Sequence, residues 1–180
     1  EITYSQLGAT VRALAKVLKD LGIGPGDRVG IFSQNRPRWA IADFAVQTLG
    51  GISVPVYATN TAQQVRYILD DAEVKLLFVG GEDQLAVAGE AITSSKAKPV
   101  LVSFDASERV QDSMGLCLDE LLAAVVDPLS ETDVEGALAG ASPADVATII
   151  YTSGTTGEPK GVRLTHSNFA HQAMAVSTEF

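Results

Sequence analysis

A single cysteine, Cys117, occurs in the chain. An internal disulfide is therefore excluded, and a reducing compartment fits. Cys117 sits between Leu116 and Leu118, where a thiol serves as core filler, and no neighbouring cation or helix start is evident that would make it reactive. No apolar run approaches the roughly 20 residues that a membrane-spanning helix needs. The start, Glu1-Ile2-Thr3-Tyr4, lacks the basic segment of a secretory signal. A surplus of positive charge is missing too: 13 Lys and Arg face 22 Asp and Glu, a net charge of −9. Without a Lys/Arg cluster, nucleic acid is disfavoured as a partner, and so is simple adhesion to anionic lipid. A cytoplasmic location, with peripheral membrane contact left open, is the expectation. There is no internal repeat, low-complexity segment or evident interdomain linker.

What is present suits a folded soluble protein. The hydrophobic fraction is 46% and the charged fraction 19%, outside the range of disordered chains. A length of 180 residues suggests one domain and buries roughly 70% of the unfolded chain's surface. Glu1 begins abruptly at a helix entrance and Phe180 falls inside a helical pattern. The expectation is a piece of a longer protein, a single partial domain over 1–180.

Helical and strand patterns alternate along the chain. Thr3-Tyr4-Ser5-Gln6 has capping-box spacing, and Leu7, Val11, Leu14, Ala15 and Leu18 follow at helical intervals. After the turn cluster Ile23-Gly24-Pro25-Gly26-Asp27, Arg28 to Phe32 predicts a buried strand. Pro37 opens a second helix, apolar on several faces from Trp39 to Leu49 and hence expected to be buried all round. Ile52 to Tyr57 is the next strand, with Pro55 expected at a strand end or sheet edge because it has no N–H to donate. Thr61 and Gln64 form another capping box, before a helix with Val65, Ile68 and Leu69 inward. Asp70-Asp71 reads as a solvated helix end without partners at metal-ligand spacing. Lys75–Val79 and Pro99–Phe104 predict strands, with a helix around Leu85–Ile92 between them. Ser107 to Met114 predicts a loop, Leu118–Val126 and Asp133–Ala139 predict helices, and Val146–Tyr151 a strand. Val162–Leu164 predicts another strand, and Thr165 or Ser167 could cap a final helix. Such alternation predicts an α/β protein of three layers, α/β/α, with a mostly parallel sheet.

One stretch does not suit a packed core: Thr148-Ile149-Ile150-Tyr151-Thr152-Ser153-Gly154-Thr155-Thr156-Gly157-Glu158-Pro159-Lys160-Gly161-Val162. Thr152, Ser153, Thr155 and Thr156 bring hydroxyls, Gly154 and Gly157 let backbone N–H groups converge, and Lys160 brings a long cation. Such a loop can surround an anion, and polyphosphate is the natural candidate. It is not a Walker A loop, which needs Gly-x-x-x-x-Gly-Lys-Ser/Thr running into a helix. Here the lysine runs into a strand, so the arrangement is strand–loop–strand.

Residues Tyr151–Val162 resemble the signature phosphate loop of the adenylate-forming enzymes: acyl-CoA synthetases, adenylation domains of nonribosomal peptide synthetases, and luciferases. Val54-Pro55-Val56-Tyr57-Ala58-Thr59, Tyr67-Ile68-Leu69-Asp70-Asp71 and Val74–Val79 are similar to bacterial long-chain fatty-acid–CoA ligases. Asp27-Arg28-Val29 and Asn35-Arg36-Pro37 fit the same pattern.

The resemblance implies part of the N-terminal, AMP-binding domain of such an enzyme, with the C-terminal domain absent. The implied substrates are a fatty acid, ATP and coenzyme A, with Mg²⁺. A carboxylate displaces pyrophosphate from ATP, and a thiol then displaces AMP from the acyl-adenylate. By this resemblance Thr152, Ser153, Thr155 and Thr156 bind the β- and γ-phosphates, Gly154 and Gly157 let the backbone approach, and Lys160 offsets charge on the departing pyrophosphate. Glu158 and Pro159 shape the turn. His166 is read as a capping or packing residue at a helix start, and Arg163, Asn168 and His171 as surface or supporting residues. The main catalytic residues, the Mg²⁺-binding glutamate and the ribose-binding aspartate are expected after Phe180. No metal ligand is assigned within the chain, and the remainder of its own polypeptide is the expected partner. An amino-acid adenylation domain, a non-catalytic nucleotide-binding module and a structural interaction domain stay open as alternatives.

Overall fold

In a computed structural model of the chain, the described residues are 2–105, 115–152 and 158–178. In chain order the elements are α1 (Tyr4–Asp20), β1 (Arg28–Ser33), α2 (Pro37–Thr48), β2 (Ile52–Val56), α3 (Ala62–Asp71), β3 (Leu76–Gly80) and α4 (Glu82–Ser94). There follow β4 (Val100–Ser103), β5 (Gly115–Cys117), α5 (Leu118–Ala123), α6 (Glu131–Leu138), β6 (Val146–Thr152), β7 (Lys160–Thr165) and α7 (His166–Thr178). The seven strands form one sheet in the order β5-β4-β3-β1-β2-β6-β7. All neighbours are parallel except β6 and β7, which form an antiparallel hairpin. The three-layer α/β/α reading and the mostly parallel sheet both hold.

The layers follow from the period-2 alternation of the central strands. Val29 and Ile31 of β1, with Leu76 and Phe78 of β3, face one side, where Leu14 and Leu18 of α1, Ile41 and Val46 of α2 and Leu118 of α5 cover them. Phe32, Leu77 and Val79 face the other, against Val65, Ile68 and Leu69 of α3 and Leu85 and Ala88 of α4. The capping boxes are formed: the Thr3 hydroxyl accepts from the Gln6 N–H at 3.2 Å, and the Thr61 hydroxyl from the Gln64 N–H at 3.4 Å. Each satisfies a donor that a helix start otherwise leaves open. Cys117 is buried, as core filler should be.

Four expectations are corrected. Pro55 lies in an interior strand, between β1 and β6. The Ile52 N–H donates to the Asp27 carbonyl, so alternate residues from Ile52 address β1 while Ser53 and Pro55 address β6. Pro55 therefore leaves the β1 ladder intact, and β2 is paired with β6 at Ser53↔Thr148. Second, α2 is not buried all round: Ile41, Ala42, Ala45 and Val46 are inside, but Phe44 is 48% exposed. Its apolar surface outruns the core available to it. Third, Gly115–Cys117 adds a parallel strand beside β4, too short to register as a pattern. Fourth, Asp70 and Asp71 are both engaged. Asp70 accepts from the Ser95 hydroxyl at 2.7 Å and from the N–H groups of Lys96 and Ala97 at 2.7 and 3.1 Å. The loop expected over Ser107 to Met114 lies outside the described residues.

Candidate phosphate-binding hairpin

The site is built on β6 and β7. Near its start β6 is fastened to the sheet by side chains: the Thr148 hydroxyl donates to the Ser53 carbonyl at 2.8 Å, and the Gln47 amide of α2 donates to the Ala147 carbonyl at 2.8 Å. Asp43 of α2 in turn accepts from the Ser53 hydroxyl at 2.5 Å. On its other side the strand pairs with β7, through Val146↔Thr165 and, after a register shift, Thr148↔Leu164, Ile149↔Arg163, Ile150↔Val162, Tyr151↔Gly161 and Thr152↔Lys160.

That register defines the neck of the loop. Thr152 and Lys160 are direct cross-strand partners, so their side chains share one face of the hairpin. Both are exposed. Tyr151 and Gly161 share the opposite face, where Tyr151 is buried against Tyr67 and the α3 side of the core. A hydroxyl and an ammonium group thus stand together, facing water, where the chain leaves the sheet and returns. Of the residues expected to bind phosphate, Thr152 and Lys160 are brought together. Ser153, Gly154, Thr155, Thr156 and Gly157 lie outside the described residues.

The flanking residues have structural roles. The Thr165 hydroxyl accepts from the Asn168 N–H at 3.4 Å, while Asn168 Oδ1 accepts from the Thr165 N–H at 2.8 Å, a reciprocal cap on α7. Thr165, not Ser167, is therefore the cap. His166 is the first residue of α7, and its N–H donates to the Asp145 carbonyl at 3.1 Å. Among the described residues no group of three or more His, Cys, Asp or Glu side chains could hold a metal ion.

What sequence reasoning missed is the attachment of the neck to α3. The Tyr151 hydroxyl donates to Asp71 Oδ2 at 2.5 Å. Burial, then the hydrogen bond to Asp71 and its charge, then Tyr67, push the Tyr151 phenol up, so it stays a donor. Tyr67 is raised as well, by burial first and then by Asp71 and Glu158. A signal was available. Two consecutive carboxylates at the end of a helix sit against the negative pole of its dipole, which argues that each has a partner elsewhere.

A concavity of about 460 Å³ lies at the carboxyl ends of β1 and β3, lined by Ser33, Gln34, Arg36, Gly81, Glu82 and Asp83 among others. The strand order reverses there, a position that favours ligands in open α/β sheets. Its charges suit a polyphosphate less well: two carboxylates line it, and Arg36 is already paired with Asp105 at 2.5 Å.

The three-layer α/β/α sheet thus ends in the β6–β7 hairpin whose loop is the candidate phosphate site. The family model described as "AMP-binding enzyme" matches residues 1–180, and the chain belongs to that family. It is 38% identical over 174 residues to the long-chain-fatty-acid–CoA ligase FadD15 of Mycobacterium bovis, covering 96% of this chain and 28% of that protein. It is 32% identical to the fatty acyl-CoA synthetase A of Dictyostelium discoideum, covering 95% of this chain and 26% of that one. Among solved structures, apo MatB from Rhodopseudomonas palustris superposes with a TM-score of 0.75 at 25% identity, over 96% of this chain and 31% of the other. The chain thus spans less than a third of the length of these relatives, and its fold is that of part of the N-terminal domain of an adenylate-forming enzyme.

Proposed function

We propose that the chain is the phosphate-loop-bearing part of an ATP-dependent long-chain fatty-acid–CoA ligase. The observation that carries the reading is the hairpin neck. Within a signature run for polyphosphate, Thr152 and Lys160 are cross-strand partners on one exposed face. The likeness to long-chain ligases over 96% of the chain supplies the substrate class.

The overall chemistry has two displacements. A fatty-acid carboxylate oxygen attacks the α-phosphorus of ATP, the bond to the bridging oxygen breaks, and pyrophosphate leaves. The thiolate of coenzyme A then attacks the acyl carbon of the acyl-adenylate and expels AMP. In the first displacement negative charge grows on the departing pyrophosphate. The Lys160 ammonium opposes that charge, and the Thr152 hydroxyl donates to a β- or γ-phosphate oxygen. Ser153, Thr155 and Thr156 add donors, and Gly154 and Gly157 admit the phosphates to the backbone N–H groups. These groups act by position and charge rather than by forming bonds. The isolated 180-residue chain is expected to be inactive by itself.

The test uses the whole protein that carries this chain, with ATP–pyrophosphate exchange and acyl-CoA formation followed across fatty acids, aromatic acids and amino acids. Long-chain fatty acids should support both reactions. Lys160→Ala should lower the adenylation rate on the order of 10²- to 10³-fold, as loss of one charge-stabilising group does, with the fold intact. Exchange driven by amino acids without acyl-CoA formation would instead identify an amino-acid adenylation domain. ATP binding with no exchange would identify a non-catalytic module.

A further inference from the structure

The loop end of β6 is held differently from its start. Ser53, Thr148, Gln47 and Asp43 fasten the start to β2 and α2. Toward the loop, the β2 residue that faces β6 is Pro55, which has no N–H with which to extend a ladder. There side chains of α3 add a polar and aromatic link to the packing of Tyr151 among Val54 and Val56 of β2. Tyr151, 4% exposed, is the last residue before the neck pair. Its hydroxyl donates to Asp71 at 2.5 Å. Tyr67, one helical turn before Asp71, meets the Tyr151 ring edge-on, with centroids 6.4 Å apart and planes at 90°. From the other side, β7 presents bare backbone: a Cβ on Gly161 would lie 3.2 Å from Tyr151 Cζ and 3.3 Å from its hydroxyl oxygen. The ring is thus bracketed by an edge-on aromatic, a carboxylate and a glycine that leaves room for it.

We infer that Asp71 is a positioning residue for the phosphate loop, acting through Tyr151 to fix the angle at which Thr152 and Lys160 are presented. The inference rests on the function proposed above. Tyr151 and Lys160 are not joined to each other by side chains, but they are one register step apart on the same two strands. A tilt of the hairpin about its attachment at Thr148 would therefore swing the neck pair directly. Asp71 acts through the Tyr151 hydroxyl. It accepts one hydrogen bond and thereby selects one tilt.

The experiment measures ATP affinity by calorimetry, and kcat and KM for ATP in adenylation, on the whole protein and on Tyr151→Phe, Asp71→Ala, Asp71→Asn and the Tyr151→Phe/Asp71→Ala double variant. Melting curves are taken alongside. Each of Tyr151→Phe and Asp71→Ala should weaken ATP binding about tenfold, the lower end of what a hydrogen bond to a charged group is worth. The double variant should be no worse than either single one, because both remove the same bond. Asp71→Asn, whose amide oxygen still accepts, should recover most of the loss. Asp71→Ala that melts earlier but binds and turns over ATP like the parent would overturn the inference, as would fully additive losses in the double variant. Should Asp71→Ala not fold, Tyr151→Phe and Asp71→Asn preserve volume and test the same bond: a Tyr151→Phe that binds ATP like the parent would then overturn the inference. A parent that binds ATP but activates no acid would count against the proposed function alone, since the affinities of the variants still read the positioning.

Discussion

The middle of the sheet and its β7 end are built on opposite plans. All five residues of β3 are buried, and five of the six residues of β1. Four of the six residues of β7 are exposed, with Val162 at 44%. The middle strands hold their place by side chains packed on both faces. The β7 strand holds its place by backbone pairing, in a six-pair antiparallel register with β6. A strand held by its backbone leaves its side chains free for a ligand, whereas a strand held by its side chains has none to spare. Placing the loop between β6 and β7 therefore puts the proposed phosphate site where packing makes the fewest demands.

The largest effect should come from breaking the middle. Leu77 and Phe78 are fully buried on opposite faces of β3. Leu77→Ala should cost about 2–5 kcal/mol and Phe78→Ala about 3–5 kcal/mol, a large part of a margin of roughly 5–15 kcal/mol. Val162→Ala should change stability by less than about 0.5 kcal/mol. Urea unfolding followed by circular dichroism measures all three. Equal losses at Val162 and Leu77 would mean that the exposed strand is packed after all and the contrast is wrong.

A smaller effect is expected between these extremes, at Asp70. Its carboxylate gathers three donors from the α4–β4 connection. Burial pushes this carboxyl up, but the Ser95 hydroxyl, the Ala97 and Lys96 N–H groups and the Lys96 charge outweigh it, leaving it below its ordinary value. Asp70→Ala should cost about 1–3 kcal/mol, since it strands partly buried donors. The sign with pH follows from the lowered value. The stabilisation is complete above the unfolded carboxyl's pKa, about 3.9, and is lost as pH falls through the lower folded value. Asp70→Asn should remove this acid dependence. An unchanged acid limb in that variant would show that other carboxylates govern it.

Much of this contrast was legible in the sequence, and the reasons are local. Thr3, Gln6, Thr61 and Gln64 announce their helices because a capping box is complete within four residues. The strands Arg28–Phe32 and Lys75–Val79 announce themselves because a strand covered on both faces must be apolar throughout. The illegible features depend on partners far along the chain. Asp71 meets Tyr151 across 80 positions and Asp70 meets Ala97 across 27; neither spacing leaves a periodic trace. Pro55 misled for a related reason. Which neighbour a strand's N–H groups address is decided by register, and proline is harmless on the side where the ladder is short. At the candidate site, the sequence marked Thr152 and Lys160 by their chemistry. That they are cross-strand partners required the hairpin register.

The smallest effect, and the one that most sharpens the comparison, concerns α7. Phe169 and Val176 are seven residues apart and so share a face of the helix. Phe169 is 51% exposed and Val176 50%. In the 180-residue chain, Phe169→Ser should shift stability by less than about 0.5 kcal/mol, because little apolar contact is lost. The relatives are more than three times as long as the segment they share with this chain, and the expectation is that further polypeptide packs on this apolar face. In the whole protein the same substitution should therefore cost more, about 1.5–3 kcal/mol if the ring is fully covered there. Unfolding of both forms, each with and without the substitution, measures the difference. An equal and negligible cost in both would make α7 an ordinary surface helix. A cost confined to the longer form would mean that the exposed end of this sheet is a seam, with the phosphate loop set at its margin.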